Sequence, residues 1–247
     1  MPDDGYQARV ISLPVERTTS SARRAAASAA APIAGFGSWH VDDWGRDPTL
    51  VRLSVRLGRL RWNVTIGGAG RLPARRGALI VVNARRYALT PIVTALALGH
   101  ATERAVRFVG RPDVAPFGPL LRRLGGLLDR PDEVGGALRC GELVVMGAAP
   151  ELHPRRVGRI DHAVIGAAVG ARTPVFPAAT LTSPLSRQAR VEIGSAARAG
   201  RRRRGPLSEL ELADVVERRI QRLLDELGGA QTGTPLDWLP LSGMGGG

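Results

Sequence analysis

Short runs of apolar residues, separated by segments rich in Gly, Pro and Arg, recur along most of the chain. Short runs of this kind are typical of β-strands, and uninterrupted ones are typical of strands that are buried on both faces of a sheet. The pattern predicts six strands, at residues 63–66, 79–82, 106–109, 143–146, 175–179 and 189–193.

Segments with helical periodicity lie between these strands. The pattern predicts helices at residues 50–60, 92–98, 116–124, 161–169 and 208–227. The last of them is the clearest, because Ser208 and Glu211 are spaced as a capping box and an apolar stripe follows them at helical spacing. Strands that alternate with helices predict an α/β fold.

The chain of 247 residues is long enough for one domain of this kind, which we place at residues 39–227. Residues 1–38 are rich in Ala, Ser and Arg, and we expect this segment to be mobile. Residues 228–247 form a Gly-rich tail.

Composition narrows the chemistry that is open to the protein. All 35 basic residues are Arg, which excludes Lys-based chemistry, and the formal net charge of +13 predicts attraction to anionic surfaces. The single cysteine, Cys140, excludes an internal disulfide and is expected to pack in the core. We expect no bound metal and no secretory signal. The longest uncharged apolar segment, residues 88–99, is too short to span a bilayer.

Five ordered segments carry a resemblance to a known family. Residues 42–48 read Asp-Asp-Trp-Gly-Arg-Asp-Pro, and residues 64–73 form a strand and a turn that ends in Leu-Pro. Residues 116–130 begin with Pro-Phe-Gly-Pro and end with Leu-Asp-Arg. Residues 173–177 read Thr-Pro-Val-Phe-Pro, and residues 190–194 form the end of a strand that closes with Gly. In this order and spacing they resemble the bacterial lysophospholipid (lysophosphatidic acid) acyltransferases, and an actinobacterial branch in particular. The resemblance implies a single-domain, glycerolipid-acyltransferase-like fold with a mixed sheet flanked by helices. It also implies a place in phospholipid metabolism.

The reactive residues of that family are missing. Where the family has Asn-His followed five residues later by Asp, this chain has Asn83, then Ala84 at the His position and Leu89 at the Asp position. Ala149 stands where the family's third motif has Glu. Acyl transfer to a hydroxyl group needs a base, which is typically worth about 10²–10⁴ in rate, and neither Ala nor Leu accepts a proton. We therefore predict that no catalytic residue remains, and no cofactor is implied.

Three arginines remain as candidates for binding a substrate phosphate. The resemblance places Arg130 at the family's phosphate-contacting position, and Arg85 and Arg86 lie where the mouth of the vacated site would open. An Arg suits this role because its planar fork donates to two phosphate oxygens at once. Alternatively, Arg130 is a surface residue that caps a strand end or pairs with Asp132, and Arg85 and Arg86 fill the vacated pocket by pairing with an acidic neighbour.

Other positions carry weaker hypotheses. His162 is an alternative base, but adjacent residues on a helix do not face each other, so Asp161 is expected to cap the helix and not to orient His162. Pro174 and Pro177 match the family's fourth motif, a strand of the form Pro-Val-x-Pro. His100 is expected at a helix end, where the helix dipole favours it.

A basic loop is a candidate for contact with a membrane surface, and it comprises Arg201, Arg202, Arg203 and Arg204. Basic residues near an anionic membrane are worth about 1 kcal/mol each, whereas a loop of this composition can equally be solvated. Nucleic acid is disfavoured as a partner, because no aromatic residues interleave the run.

The sequence thus supports three hypotheses. The first is an inactive acyltransferase that acts as an accessory or regulatory protein and binds a lysophospholipid, an anionic phospholipid surface or a protein partner. The second is an active acyltransferase that uses non-standard residues, with acyl-CoA or acyl carrier protein as the donor. The third is a basic scaffold that contacts membrane or nucleic acid. We expect a cytoplasmic protein whose membrane contact, if any, is peripheral and on the inner face.

Overall fold

The computed structural model describes residues 41–84, 89–151, 156–182, 187–198 and 205–227. Its strands are β1 Asn63–Gly67, β2 Ala78–Val82, β3 Val106–Val109, β4 Gly126–Leu127, β5 Leu143–Gly147, β6 Val175–Thr182 and β7 Gln188–Ile193. Its α-helices are α1 Pro48–Arg61, α2 Thr90–Thr102, α3 Phe117–Arg123, α4 Pro131–Arg139, α5 His162–Gly170 and α6 Pro206–Glu226, and a 3₁₀ turn covers Ala69–Arg71. The segments 1–38 and 228–247 and the basic loop 201–204 lie outside the described residues, so the hypotheses about them stay predictions.

The seven strands form one sheet in the order β1-β7-β6-β2-β5-β3-β4. Neighbouring strands from β6 to β4 pair in parallel, β7 pairs antiparallel to β6, and β1 pairs parallel to β7. One face of the sheet packs against residues of α4, α5 and α6, and the other packs against residues of α2 and the end of α3. The predicted α/β fold, a mixed sheet flanked by helices, is therefore confirmed.

Strand β2 is at the centre of the sheet, and all five of its residues are fully buried. It pairs with β5 on one side and β6 on the other, both in parallel. An uninterrupted apolar sequence suits this position, because both faces of the strand are covered. The carboxyl end of β2 consequently opens at the middle of one edge of the sheet, where Asn83 and Ala84 follow it.

All six predicted strands and five predicted helices are present, and the sequence reasoning missed α4 and the short β4. Two local predictions are wrong. Helix α6 starts at Pro206, before the predicted cap residue Ser208, because Pro favours the first helical position. The Ser208 hydroxyl does not cap the helix and instead donates to the carbonyl oxygen of Gly205 at 2.8 Å. Cys140 is exposed, because it lies in the turn that Gly141, with a φ of +86°, makes after α4.

A buried arginine holds the segment before α1 against the sheet. The guanidinium of Arg107, on β3, is 2.7 Å from a carboxylate oxygen of Asp42 and 3.4 Å from one of Glu142. It also lies 5.7 Å from the centre of the Trp44 ring. Trp44 in turn contacts α4 so closely that a Cβ at Gly136 would lie 2.9 Å from its ring. Most of the acidic and aromatic part of segment 42–48 therefore has a structural role here.

Candidate functional site

The carboxyl ends of β2, β5 and β6 meet at one edge of the sheet, where the resemblance places the catalytic loop. Asn83 is buried there and binds the backbone of β6 through both ends of its amide. Its Nδ2 donates to the carbonyl oxygen of Thr180 at 3.0 Å, and its Oδ1 accepts from the backbone nitrogen of Thr180 at 2.7 Å. The Thr180 hydroxyl lies 2.9 Å from that of Thr94, which extends the bonding to α2. Asn83 thus fixes the end of β2, and its bonded, neutral amide provides no base.

Ala84 and the third motif lie side by side at this edge. Val82 pairs with Gly147, and a Cβ at Gly147 would lie 3.2 Å from the Cβ of Ala84 and 2.9 Å from Cγ of Pro91. Ala84 itself is only 7% exposed. The surroundings of Ala84, at the position that the resemblance assigns to His, are therefore aliphatic and closely packed. The space next to Ala84 accommodates a glycine but no larger residue without a shift of Pro91.

Leu89 lies on the surface at the start of α2. Its carbonyl oxygen accepts a hydrogen bond from the Val93 backbone at 2.9 Å, and its side chain is 49% exposed. Residues 85–88, which include Arg85, Arg86 and Tyr87, lie outside the described residues, so their predicted place at the mouth of the site stays a prediction. Leu89 therefore precedes the first turn of α2 and provides no ionisable group at this position.

The third motif turns away from β5 through backbone contacts. The backbone nitrogen of exposed Ala149 donates to the carbonyl oxygen of Arg159 at 2.7 Å, and that of Glu151 donates to the carbonyl oxygen of Ala84 at 3.2 Å. Glu151 therefore lies next to the first motif, a neighbour that the sequence reasoning missed. The sequence contained one signal for this neighbour: Glu151 is an acidic residue two positions after Ala149, where the resemblance places the Glu of the third motif.

The two prolines of the fourth motif shape β6. The carbonyl oxygen of Pro174 accepts from the Leu79 backbone at 3.0 Å, and that of Pro177 accepts from Gly194 at 2.8 Å. Pro177 pairs with Val81 of β2, while the ladder to β7 begins one residue later. A proline is tolerated within this strand because its missing N–H falls outside the β7 ladder. Both residues act in building the sheet that carries the site.

Arg130 is the residue immediately before α4, at the same edge. Its side chain is 68% exposed, and its Nη2 lies 3.9 Å from Asp113, which is itself exposed. The alternative partner that the sequence suggested, Asp132, is not the one observed. An exposed pair of this length contributes little to stability, so the guanidinium remains available to an anion.

The carboxyl group of Asp129, next to Arg130, has a pKa above its ordinary value, because partial burial and then the charge of Asp161 disfavour ionisation. A raised pKa in the folded state stabilises the fold at acid pH, and this contribution is lost as the pH rises through that pKa. Asp129→Asn, which keeps the group neutral, should raise the melting temperature at pH 7 slightly, by about 1 °C, because solvent screens most of the charge. Calorimetric scans should show no gain well below pH 4, where Asp129 is already neutral.

A matched control for this prediction is Asp132→Asn. Asp132 lies in the first turn of α4, where a negative charge is favourable, so its removal should not stabilise the protein at pH 7. Equal melting temperatures for wild type and Asp129→Asn at pH 7 would show that burial and the charge of Asp161 do not disfavour the ionised carboxyl group of Asp129.

His162 is the first residue of α5 and is exposed at the same edge. Asp161 caps this helix, as predicted, and accepts a hydrogen bond from the backbone of Ala163 at 2.8 Å. Among the residues that the structure describes, no carboxylate forms an ion pair with the imidazole of His162.

The described part of the chain also has no group of three or more His, Cys, Asp or Glu that could hold a metal, and no helix long and apolar enough to cross a bilayer. His100 lies in the last turn of α2, as predicted.

Comparison with known proteins adds one structural likeness. No protein-family model matches the sequence, and no curated protein matches it. The fold is similar to that in the crystal structure of the 1-acyl-sn-glycerophosphate (LPA) acyltransferase PlsC from Thermotoga maritima, with a TM-score of 0.53 and 18% identity. The match covers 73% of this chain and 80% of the other. The protein therefore has an acyltransferase-like α/β fold.

Proposed function

We propose that this chain is a degenerate member of the bacterial lysophospholipid acyltransferases, of the actinobacterial branch that its motifs resemble. It has kept the fold and lost the chemistry of acyl transfer. The observation that carries the proposal is Ala84, a buried methyl group at the position that corresponds to the family's base.

The described surroundings of Ala84 offer no simple replacement for that base. The Asn83 amide is neutral and already bonded to Thr180, and Leu89 contributes only its backbone. Ala149, at the position of the third-motif Glu, is likewise without charge. A hydroxyl that attacks a thioester would therefore keep its proton, which removes the help that a positioned base supplies.

The proposed role is that of an accessory or regulatory protein in phospholipid metabolism, which binds a lysophospholipid or a protein partner. We place it in the cytoplasm, with peripheral contact to the inner membrane face. The net charge of +13 supports attraction to anionic lipid. Arg130 supports binding of a phosphate group, because its exposed guanidinium lies at the same edge of the sheet as Ala84.

Arg130→Ala tests the retained binding site. It should weaken the affinity for lysophosphatidate about tenfold or more, since a hydrogen bond to a charged group is worth about 1.5–3 kcal/mol. The melting temperature should not change, because the side chain is exposed. Affinities are measured by titration calorimetry below the micelle concentration. Arg139→Ala, at the opposite end of α4, is the matched control and should bind as the wild type does. Equal affinities for all three proteins would remove Arg130 from the site.

The rival function is an active acyltransferase with an unusual base, which takes its acyl group from acyl-CoA or acyl carrier protein. Two observations favour it: His162 lies at the same edge of the sheet, and the backbone of Glu151 bonds to that of Ala84. Assays of transfer to lysophosphatidate with wild type, His162→Ala and Glu151→Gln distinguish the two functions. Turnover that disappears in either variant would establish the rival, and background rates in all three support the proposed loss of activity.

A further inference from the structure

A groove lined by arginines lies between α1 and the carboxyl-terminal end of α2, with a volume of about 670 Å³. Five guanidinium groups and one carboxylate line it: Arg46, Arg52, Arg56, Arg59, Arg104 and Glu103. Such a concentration of like charge is unfavourable unless an anion or solvent neutralises it.

Three carboxylates near Arg46 have other partners. Asp42 and Glu142 pair with Arg107, and Asp47 accepts hydrogen bonds from the first turn of α1, at 2.9 Å from Thr49 and 3.1 Å from Leu50. The lining of the groove itself contributes one carboxylate, that of Glu103, against five guanidinium groups.

Arg46, at one wall of the groove, has a donor atom without a partner among the residues that the structure describes. Its Nε is buried and has no hydrogen-bond partner within the described part of the chain. Burial and the neighbouring charge of Arg107 lower the pKa of Arg46 in spite of the carboxylates of Asp42 and Glu142. An anion in the groove would favour the charged form of Arg46.

The arginines of α1 are arranged to act together. Arg52, Arg56 and Arg59 are spaced by four and three residues, so they lie along one flank of the helix. Arg56 and Arg59 are exposed and make no hydrogen bond or ion pair with the described residues. Arg104, by contrast, is anchored by donating to the backbone carbonyls of Pro73, Arg76 and Gly141. The groove thus combines a fixed guanidinium at one wall with unpaired ones at the other.

This groove is distinct from the vacated acyltransferase site. Leu89 and Pro91, beside Ala84, lie at the start of α2, whereas Glu103 and Arg104 follow its end. Helix α2 has 13 residues and is therefore about 20 Å long at 1.5 Å per residue. One ligand of head-group size cannot occupy both places.

We propose that the arginine groove is a second anion site, which binds a phosphomonoester or diphosphate group. Guanidinium forks match the oxygens of such a group bidentately, and several forks on one helix flank can hold two phosphates or one dianionic phosphate. The phosphate is carried either by a soluble molecule or by a lipid head group. Leu53, Leu57 and Leu60 form an exposed stripe beside the arginines of α1, which favours the lipid source.

The test compares Arg56→Gln/Arg59→Gln with a matched control, Arg218→Gln/Arg222→Gln, which removes the same charge from an exposed flank of α6. Gln preserves helix propensity at all four positions. The probes are inorganic pyrophosphate, by titration calorimetry, and phosphatidylcholine vesicles with and without phosphatidic acid, by sedimentation. The groove variant should lose about tenfold or more in affinity for at least one phosphate probe, while the control keeps wild-type affinity.

The two arms identify the source of the phosphate. A selective loss of pyrophosphate binding indicates a soluble ligand, and a loss confined to the phosphatidic acid vesicles indicates a lipid head group. The proposal is overturned if wild type binds neither probe, or if both variants bind as wild type or lose affinity equally. Acyl transfer does not enter this test, so its outcome is independent of the proposed loss of that activity.

Discussion

Arg107→Met is expected to lower the free energy of unfolding by about 3–5 kcal/mol. Arg107 is 1% exposed, and its guanidinium lies 2.7 Å from Asp42 and 3.4 Å from Glu142. Met fills a similar volume but removes the guanidinium that forms ion pairs with both carboxylates. The loss of a buried partner is costly for this reason, even where the intact ion pair contributes little by itself.

Urea unfolding followed by circular dichroism measures this effect. Arg107→Met combined with Asp42→Asn and Glu142→Gln should recover a large part of the loss, because the carboxylate charges are removed together with their partner. Arg139→Met is the exposed control, for which a change within about 0.5 kcal/mol is expected. An Arg107→Met protein as stable as wild type would show that the buried cluster does not hold segment 42–47 in place.

The buried cluster also shows where sequence reasoning stops. The apolar run at residues 106–109 identified β3 correctly, but within that run an Arg indicates nothing about burial. Arg107 is buried because Asp42, which lies far away in sequence, reaches its guanidinium. Contacts of this kind depend on the tertiary fold and leave no periodic signal.

Helix α4 was missed for a related reason. Gly135 and Gly136 lower the helix propensity of a segment that carries the usual start signals, Pro131 followed by Asp132 and Glu133. The structure explains one of these glycines. A Cβ at Gly136 would lie 2.9 Å from the Trp44 ring, so packing favours a residue that weakens the local helical pattern.

At the candidate site, the resemblance identified the motif segments in the sequence but not their contacts. The first and third motifs are neighbours in the structure, where Ala84 and Gly147 lie side by side at the carboxyl edge. The pairing of Arg130 with Asp113 and the approach of Glu151 to Ala84 depend on loop conformations that no sequence pattern encoded.

Acyl transfer is the activity whose absence the proposed function requires. Loss of a positioned base alone costs about 10²–10⁴ in rate, and the charge of the third motif is lost as well. Binding and backbone contacts can leave a residual rate, which we expect to be too small to be the biological purpose of the protein. The Ala84 methyl and the Leu89 side chain offer no route for the proton of the attacking hydroxyl.

The most direct measurement is the formation of phosphatidate from lysophosphatidate and labelled acyl-CoA by the purified full chain, with the Thermotoga maritima enzyme as the positive control. Acyl carrier protein is assayed as a second donor. We predict no product above the protein-free background with either donor, in wild type and in His162→Ala alike. Saturable product formation proportional to the concentration of wild-type protein would contradict the account, and its loss in His162→Ala would identify the base.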